Sequence, residues 1–145
     1  MIEYANPEAV RDFMSSWFRI PNSEDLRGVL FIPDQYADSQ ASKDHVGVAY
    51  AWHGFMGRTC NISIVVQKKE CLTLAVVKKA FEYPFEVCGL EAVYAMVDST
   101  NHNSMSMCNR VGFRAVHRTP HGGIHGDLII FEMLRANCRW LKRTH

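Results

Sequence analysis

The stretch VDSTNHNSMSMCNRVGF, residues 97–113, limits the possible folds of this chain more than any other segment. A strand-like pattern ends at Val97, and Asn101 is placed to cap a helix on which Ser104, Met107, Cys108 and Val111 share one face. Gly112 supplies the left-handed residue that stops the helix, and Phe113 turns back toward Cys108 and into a further strand. A helix this short is marginal in water by itself. The chain must therefore supply a sheet that holds it.

The remaining pattern supplies that sheet. Met1 to Tyr4 reads as a short strand. Asn6-Pro7-Glu8 then opens a helix, with a capping Asn, Pro at the first helical position and an acid near the positive end. Val10, Phe13, Met14, Trp17 and Phe18 give this helix one wide apolar face, and Ile20-Pro21 ends it. Gly28 to Ile32 is strand-like and is closed by Pro33, and residues 34–44 form a polar loop. Val46 to Trp52 and Cys60 to Val66 read as strands joined by a hairpin over 53–57. From Lys68 to about Val87 the spacing is helical. Leu72, Ala75, Val76, Ala80 and Tyr83 lie on one face, while Leu74, Val77 and Phe81 on the other suggest burial on two sides. Pro84 should bend the last turn before Cys88-Gly89. Strands follow over Leu90 to Val97, Phe113 to Arg118 and Asp127 to Leu134. The order is strand, helix, three strands, helix, strand, helix, two strands: one α/β domain over 1–145 with a mixed sheet and helices packed on it.

Composition narrows the function classes. A chain of 145 residues, 48% hydrophobic and 21% charged, can bury a core without disulfides or a structural metal. Sixteen basic and fifteen acidic side chains leave a formal charge of +1, which gives no sequence-wide case for nucleic acid. No apolar run reaches the roughly 20 residues of a membrane span. The amino terminus has neither a basic leader nor an apolar signal core, so a cytoplasmic protein is expected. Five cysteines, none in a Cys-x-x-Cys pair, read as reduced and mostly buried thiols. His117, His121 and His125 are spaced for a metal-binding helix face, but the surrounding Pro and Gly residues rule out a regular helix. A flexible hairpin tip is expected there, and no metal.

The spacing Val97-x-x-x-Asn101-x-x-Ser104, then eight residues to Gly112-Phe113, resembles the second half of GNAT-type N-acetyltransferases. FEYPFEVCGLEAVYAMV (81–97) is similar to that family's helix-to-strand passage. GDLIIFEMLRANCRW (126–140) resembles its last strand and trailing Trp, nearest the branch that acetylates ribosomal-protein amino termini. The resemblance covers about 61–140. It implies a GNAT-like α/β (α+β) fold with one mixed, mostly antiparallel sheet of about six or seven strands. It also implies an acetyl-coenzyme-A-dependent N-acetyltransferase in which a neutral amine attacks the thioester directly in a ternary complex.

The resemblance also places the site. Val65 and Val66 are counterparts of the residues whose backbone groups pair with the pantetheine arm, and the Val66 N–H would stabilise the oxyanion. The pyrophosphate motif falls on Lys68, Lys69, Glu70, Cys71, Leu72 and Thr73, with Cys71 and Thr73 where the family has glycines that let backbone N–H groups close on phosphate. Lys68 and Lys69 add positive charge, and the Thr73 hydroxyl adds a donor. Asn101 and Ser104 match cofactor-side positions, and are equally readable as a cap and a packing residue. Cys108 stands where many relatives place a tyrosine that protonates the leaving thiolate, and a buried packing cysteine is the alternative. Asp98 is the nearest carboxylate that could act as base. The acceptor is an amine, whether a protein amino terminus, a lysine or a small molecule. Trp17, Phe18 and 34–44 would form one of its walls, unless they are core. The glycine-less loop keeps a second reading open, in which the fold has lost transfer activity and serves as a binding or regulatory module. Oligomeric state is unreadable.

Overall fold

The computed structural model of the chain describes residues 1–17, 25–36 and 45–141. Seven strands and three helices follow the expected order: β1 Ile2–Tyr4, α1 Pro7–Met14, β2 Arg27–Ile32, β3 Val48–Met56, β4 Thr59–Val66, α2 Leu74–Glu82, β5 Ala92–Asp98, α3 His102–Val111, β6 Arg114–Thr119 and β7 Leu128–Leu134. The strands form one mixed sheet in the order β1-β2-β3-β4-β5-β7-β6. β1/β2, β2/β3, β5/β7 and β6/β7 pair antiparallel, and β4/β5 pair parallel. Within this sheet fold the described residues fall into two compact units, one of 1–54 and 62–80, the other of 55–61 and 81–141.

In the first unit β2 from Gly28 to Ile32 and β3 from Val48 to Trp52 are buried on both faces. Asn6 caps α1 as expected, its Oδ1 accepting from the N–H groups of Glu8 and Ala9 at 2.9 and 3.2 Å. The helix seats Val10, Phe13 and Met14 among Leu30, Ala49, Ala51 and Val65. It ends at Met14, and Trp17 is 56% exposed. The apolar face expected to run on through Trp17 therefore stops short, while Phe18 and the Ile20-Pro21 stop lie outside the described residues. On the opposite face Tyr50 Oη donates to the Val76 carbonyl at 2.8 Å and Trp52 Nε1 to that of Ala80 at 3.0 Å. Both bonds are buried, where an orphaned donor is costly, so they fix the rotation of α2 on β3.

Two boundaries differ from the sequence pattern. The hairpin turn is Gly57-Arg58, and β3 runs on through His53–Met56. Gly57 sits at φ +58°, a value glycine adopts without cost and that a two-residue hairpin turn demands. The long helical pattern from Lys68 is also broken. A single 3-10 turn covers Lys69–Cys71, Leu72 leaves helical geometry at ψ 66°, and α2 begins at Leu74. The break turns Leu74 to solvent, and Ala75 is exposed with it, whereas Val77 and Phe81 are buried as expected.

In the second unit β5 is central. Its first three residues pair with Thr59, Cys60 and Asn61 of β4, and its other edge pairs with β7 along its whole length. Pro84 falls in a wide π-type turn, Tyr83–Val87, that ends α2 before Gly89 at φ +67°. That turn buries Phe85 beside Phe81, which also meets Phe113 with ring centroids 5.6 Å apart.

Gly28 shows how closely α1 is packed. A Cβ there would collide with the Val10 side chain and lie 2.5 Å from the Tyr50 carbonyl oxygen, which is backbone and cannot move aside. Gly28→Ala is expected to destabilise the protein by about 1–3 kcal/mol through overpacking. A urea unfolding midpoint equal to that of the wild type would show that both α1 and the β3 backbone yield to the added methyl.

Candidate active site

The residues expected to hold coenzyme lie partly in one unit and partly in the other. In the first, β4 ends with Val65 buried and Val66 half-buried. The chain then folds back on Gly47, whose carbonyl accepts from Gln67 N–H at 2.8 Å and from Lys68 N–H at 3.0 Å. The Gln67 side chain adds a bond from Nε2 to the Val46 carbonyl at 2.7 Å. Together these bonds fix the start of the 68–73 segment.

Cys71 is buried in that segment, and its Sγ occupies the volume a side chain at position 47 would need: a Cβ on Gly47 would come within 2.6 Å of it. Its side chain therefore points into the protein. Leu72 is half-buried in the break. Thr73 caps α2, its Oγ1 accepting from Val76 N–H at 3.4 Å, a long bond. Leu74 and Ala75 contribute the other first-turn amides, which a helix leaves without an intrahelical acceptor. Lys69 is exposed, while Lys68 Nζ lies over the Tyr36 ring at 5.7 Å, and Tyr36 stacks on His45 with centroids 3.9 Å apart. The two lysines expected as a pair thus have different surroundings.

The second unit holds α3. Asn101 Oδ1 accepts from Ser104 N–H at 3.1 Å, so the cap read from sequence forms, and Ser104 is its partner through the backbone. Gly112 stops the helix at φ +110°, with its N–H and that of Phe113 both donating to the Cys108 carbonyl. Arg139 Nη2 and Trp140 Nε1 donate to the carbonyls of Arg110 and Val111, satisfying the last turn. Cys108 is 3% exposed, and burial pushes its thiol up to about 11. The thiol is therefore neutral and packed.

Asp98, at the end of β5, has a structural task. Its carboxylate accepts from the N–H groups of Thr100, His125 and Gly126 and from the Thr100 hydroxyl. These donors, led by the His125 N–H, hold the carboxyl well below the usual carboxylate range. A group so firmly ionised is a poor base, which removes the carboxylate nearest in sequence. Asp127 accepts from His121 N–H and Arg118 Nε, and Ser99 Oγ accepts from Asp127 N–H. The 120–126 tip expected to be flexible is thus tied down at both ends. Among the described residues no group of His, Cys, Asp and Glu side chains is arranged for a metal ion, the three spaced histidines included.

One titratable pair was not read from the sequence. His53 Nε2 and Ser63 Oγ are 2.9 Å apart, both half-buried, on the adjacent strands β3 and β4. Burial lowers the His53 pKa below its ordinary value, with the charge of Asp25 opposing that shift. The sequence assigned His53 to a turn. The signal that would have found it is the Gly57-Arg58 dipeptide, which as a two-residue turn carries β3 through His53 and alongside Ser63.

No protein-family model matches the chain, and no curated protein matches it. Solved structures do. A mutant of the spermidine N-acetyltransferase of Vibrio cholerae, 11% identical, is matched over 100% of both chains with a TM-score of 0.73. Its dodecameric form in an intermediate state is 12% identical over 99% of this chain and 98% of that one, at 0.70. The same organism's enzyme in complex with CoA and spermine is 14% identical over 94% and 96%, at 0.65. Likeness at this identity establishes the GNAT-type fold. It does not single out the ribosomal-protein branch.

The Asp98 clamp has a pH sign. Its folded pKa is depressed, so the stability it contributes is complete above the unfolded value near ~3.9 and is lost as pH falls through the lower folded value. Asp98→Ala is expected to speed amide hydrogen exchange at Thr100, His125 and Gly126 at neutral pH, with core β5 amides unchanged. Unchanged exchange at the three would show that the tip is held by other contacts.

Proposed function

We propose that the protein is an acetyl-coenzyme-A-dependent N-acetyltransferase acting on an amine by direct attack in a ternary complex. The observation that carries this reading is the seating of Cys71. The fold establishes a scaffold common to such enzymes, and the objection to activity lay in side chains where phosphate-binding glycines are expected. Cys71 turns into the pocket left by Gly47, and the Thr73 hydroxyl is engaged as a cap. The first-turn amides of α2 at Leu74 and Ala75, with the exposed Lys69, then suit a pyrophosphate. The backbone of Val65 and Val66 takes the pantetheine arm, and the Val66 N–H takes the oxyanion.

The departing thiolate needs a proton. Cys108 would be a poor source, because its burial makes it a weaker acid than an ordinary thiol near ~8.5, so its proton would move uphill to coenzyme A. We assign it to packing, and the acceptor amine, which must lose a second proton after attack, supplies the thiolate. Asn101 and Ser104 act by building the start of α3.

The acceptor is proposed to be a small-molecule amine, since the structural neighbours are named for spermidine. Five free thiols fit a reducing cytoplasm. Among the described residues no helix is long and apolar enough to cross a membrane.

Thermal unfolding with acetyl coenzyme A tests the reading. At about 100 times the dissociation constant the ligand adds roughly 2.7 kcal/mol, several degrees for a domain of this size. No shift, and no coenzyme retained in native mass spectrometry, would favour the alternative of an inactive binding module. Cys108→Ala is expected to leave turnover within about twofold of wild type while lowering the unfolding midpoint. A tenfold fall in turnover with coenzyme binding intact would return the thiol to the proton-donor role.

A further inference from the structure

We propose that His53, acting through the Ser63 hydroxyl, is the base that removes the proton from the acceptor ammonium. The inference rests on the N-acetyltransferase reading and supplies the group that reading lacks, Asp98 being engaged as a clamp. Strand periodicity fixes the location. Tyr50 and Trp52 reach the carbonyls of α2, so the alternate residues Ala49 and Ala51 face α1, as their packing with Val10 and Phe13 confirms. His53 continues that alternate set. On β4, Val65 belongs to the same cluster, and Ser63 lies two residues before it on the same face, about 7 Å along the strand. The pair is therefore one strand repeat from the backbone proposed to hold the thioester. It is also on the sheet face that carries α1.

The chemistry balances. Ser63 Oγ takes a proton from R–NH3⁺ as its own hydroxyl proton passes to His53 Nε2, which leaves R–NH2 and an imidazolium. The amine nitrogen forms a bond to the acetyl carbon and the carbon–sulfur bond breaks. The remaining excess proton on nitrogen goes to the thiolate, and the imidazolium releases its proton to solvent. His53 must begin neutral, and burial favours that form. Of the charged groups beside it, Asp25 opposes the shift. Arg27, on β2, pairs with Trp52 and so belongs to the opposite sheet face, and β4 from Asn61 to Val66 carries no ionisable side chain.

The test follows acetyl transfer from acetyl coenzyme A to spermidine, and to a lysine-containing peptide with a free amino terminus. At saturating amine, wild-type kcat should fall on the acid side with an inflection below about 6.5. An NMR titration of the His53 ring in the unaltered protein should give the same inflection, and this readout does not depend on a variant folding. His53→Gln should lower kcat by about 10²–10⁴-fold and abolish the acid limb, with the acetyl-coenzyme-A thermal shift retained. Ser63→Ala should lower kcat by a smaller factor and keep the limb. Wild-type transfer with His53→Gln within threefold of it, or an NMR inflection unrelated to the kinetic one, would overturn the role of His53 alone. Wild-type protein that transfers to neither amine would overturn the acetyltransferase reading, and this assignment with it.

Discussion

The carbonyl of Gly47 accepts two backbone hydrogen bonds, from Gln67 and Lys68, and the path of the chain behind β4 depends on that junction. Gly47 N–H donates in turn to the Phe31 carbonyl, so the junction is tied to β2 as well. Because residue 47 has no side chain, Cys71 can fill the space beside it. The 3-10 turn at Lys69–Cys71 and the break at Leu72 both bring Cys71 inward. The start of α2 is then fixed by Thr73 below and by the Tyr50 and Trp52 hydrogen bonds along its length. A side chain at 47 would displace Cys71 and, through it, the segment proposed to meet the pyrophosphate.

Much of the fold was legible because local signals agreed with tertiary need. The Asn6-Pro7 opening, the Asn101 cap and the Gly112 stop are each set by backbone chemistry within a few residues, and all three appear where the pattern puts them. The illegible parts depend on distant contacts. Nothing in the period of 68–87 announces that Leu72 leaves the helix, since the space that Cys71 fills beside it is left by Gly47, far upstream. The exposure of Leu74 follows from that break, and the exposure of Trp17 from a helix that stops at Met14. Asp98 read as a possible base because the donors that claim it come from residues 125 and 126, across the sheet's end.

The site divides in the same way. The positions taken from the family resemblance, Val65 to Thr73 and Asn101 to Cys108, could be numbered from spacing, but the direction each side chain takes could not. Cys71 is the instructive case. A Cβ at a glycine position obstructs a ligand only if it points toward it, and the direction is decided by the packing partner, not by the motif. His53 shows the converse. It belongs to no motif, and its relation to Ser63 exists only through strand register.

Both proposed roles fall on β4. Its residues alternate between a face that packs with α1, where Ser63 and Val65 lie, and the opposite face, while its backbone groups are shared by both. On the proposed reading, the Val66 N–H would take the thioester oxygen and the Ser63 hydroxyl the amine, so one strand would hold both reactants in register, the arrangement that direct transfer requires. Ser63 is half-buried between Asn61 and Val65 on its face of the strand, with Ile62 and Ile64 on the other. Its hydrogen bond to His53 satisfies it, and the half-burial of both leaves them open to a third partner. The linked hydroxyl and imidazole on that half-buried face are the pair that the proposed proton transfer uses.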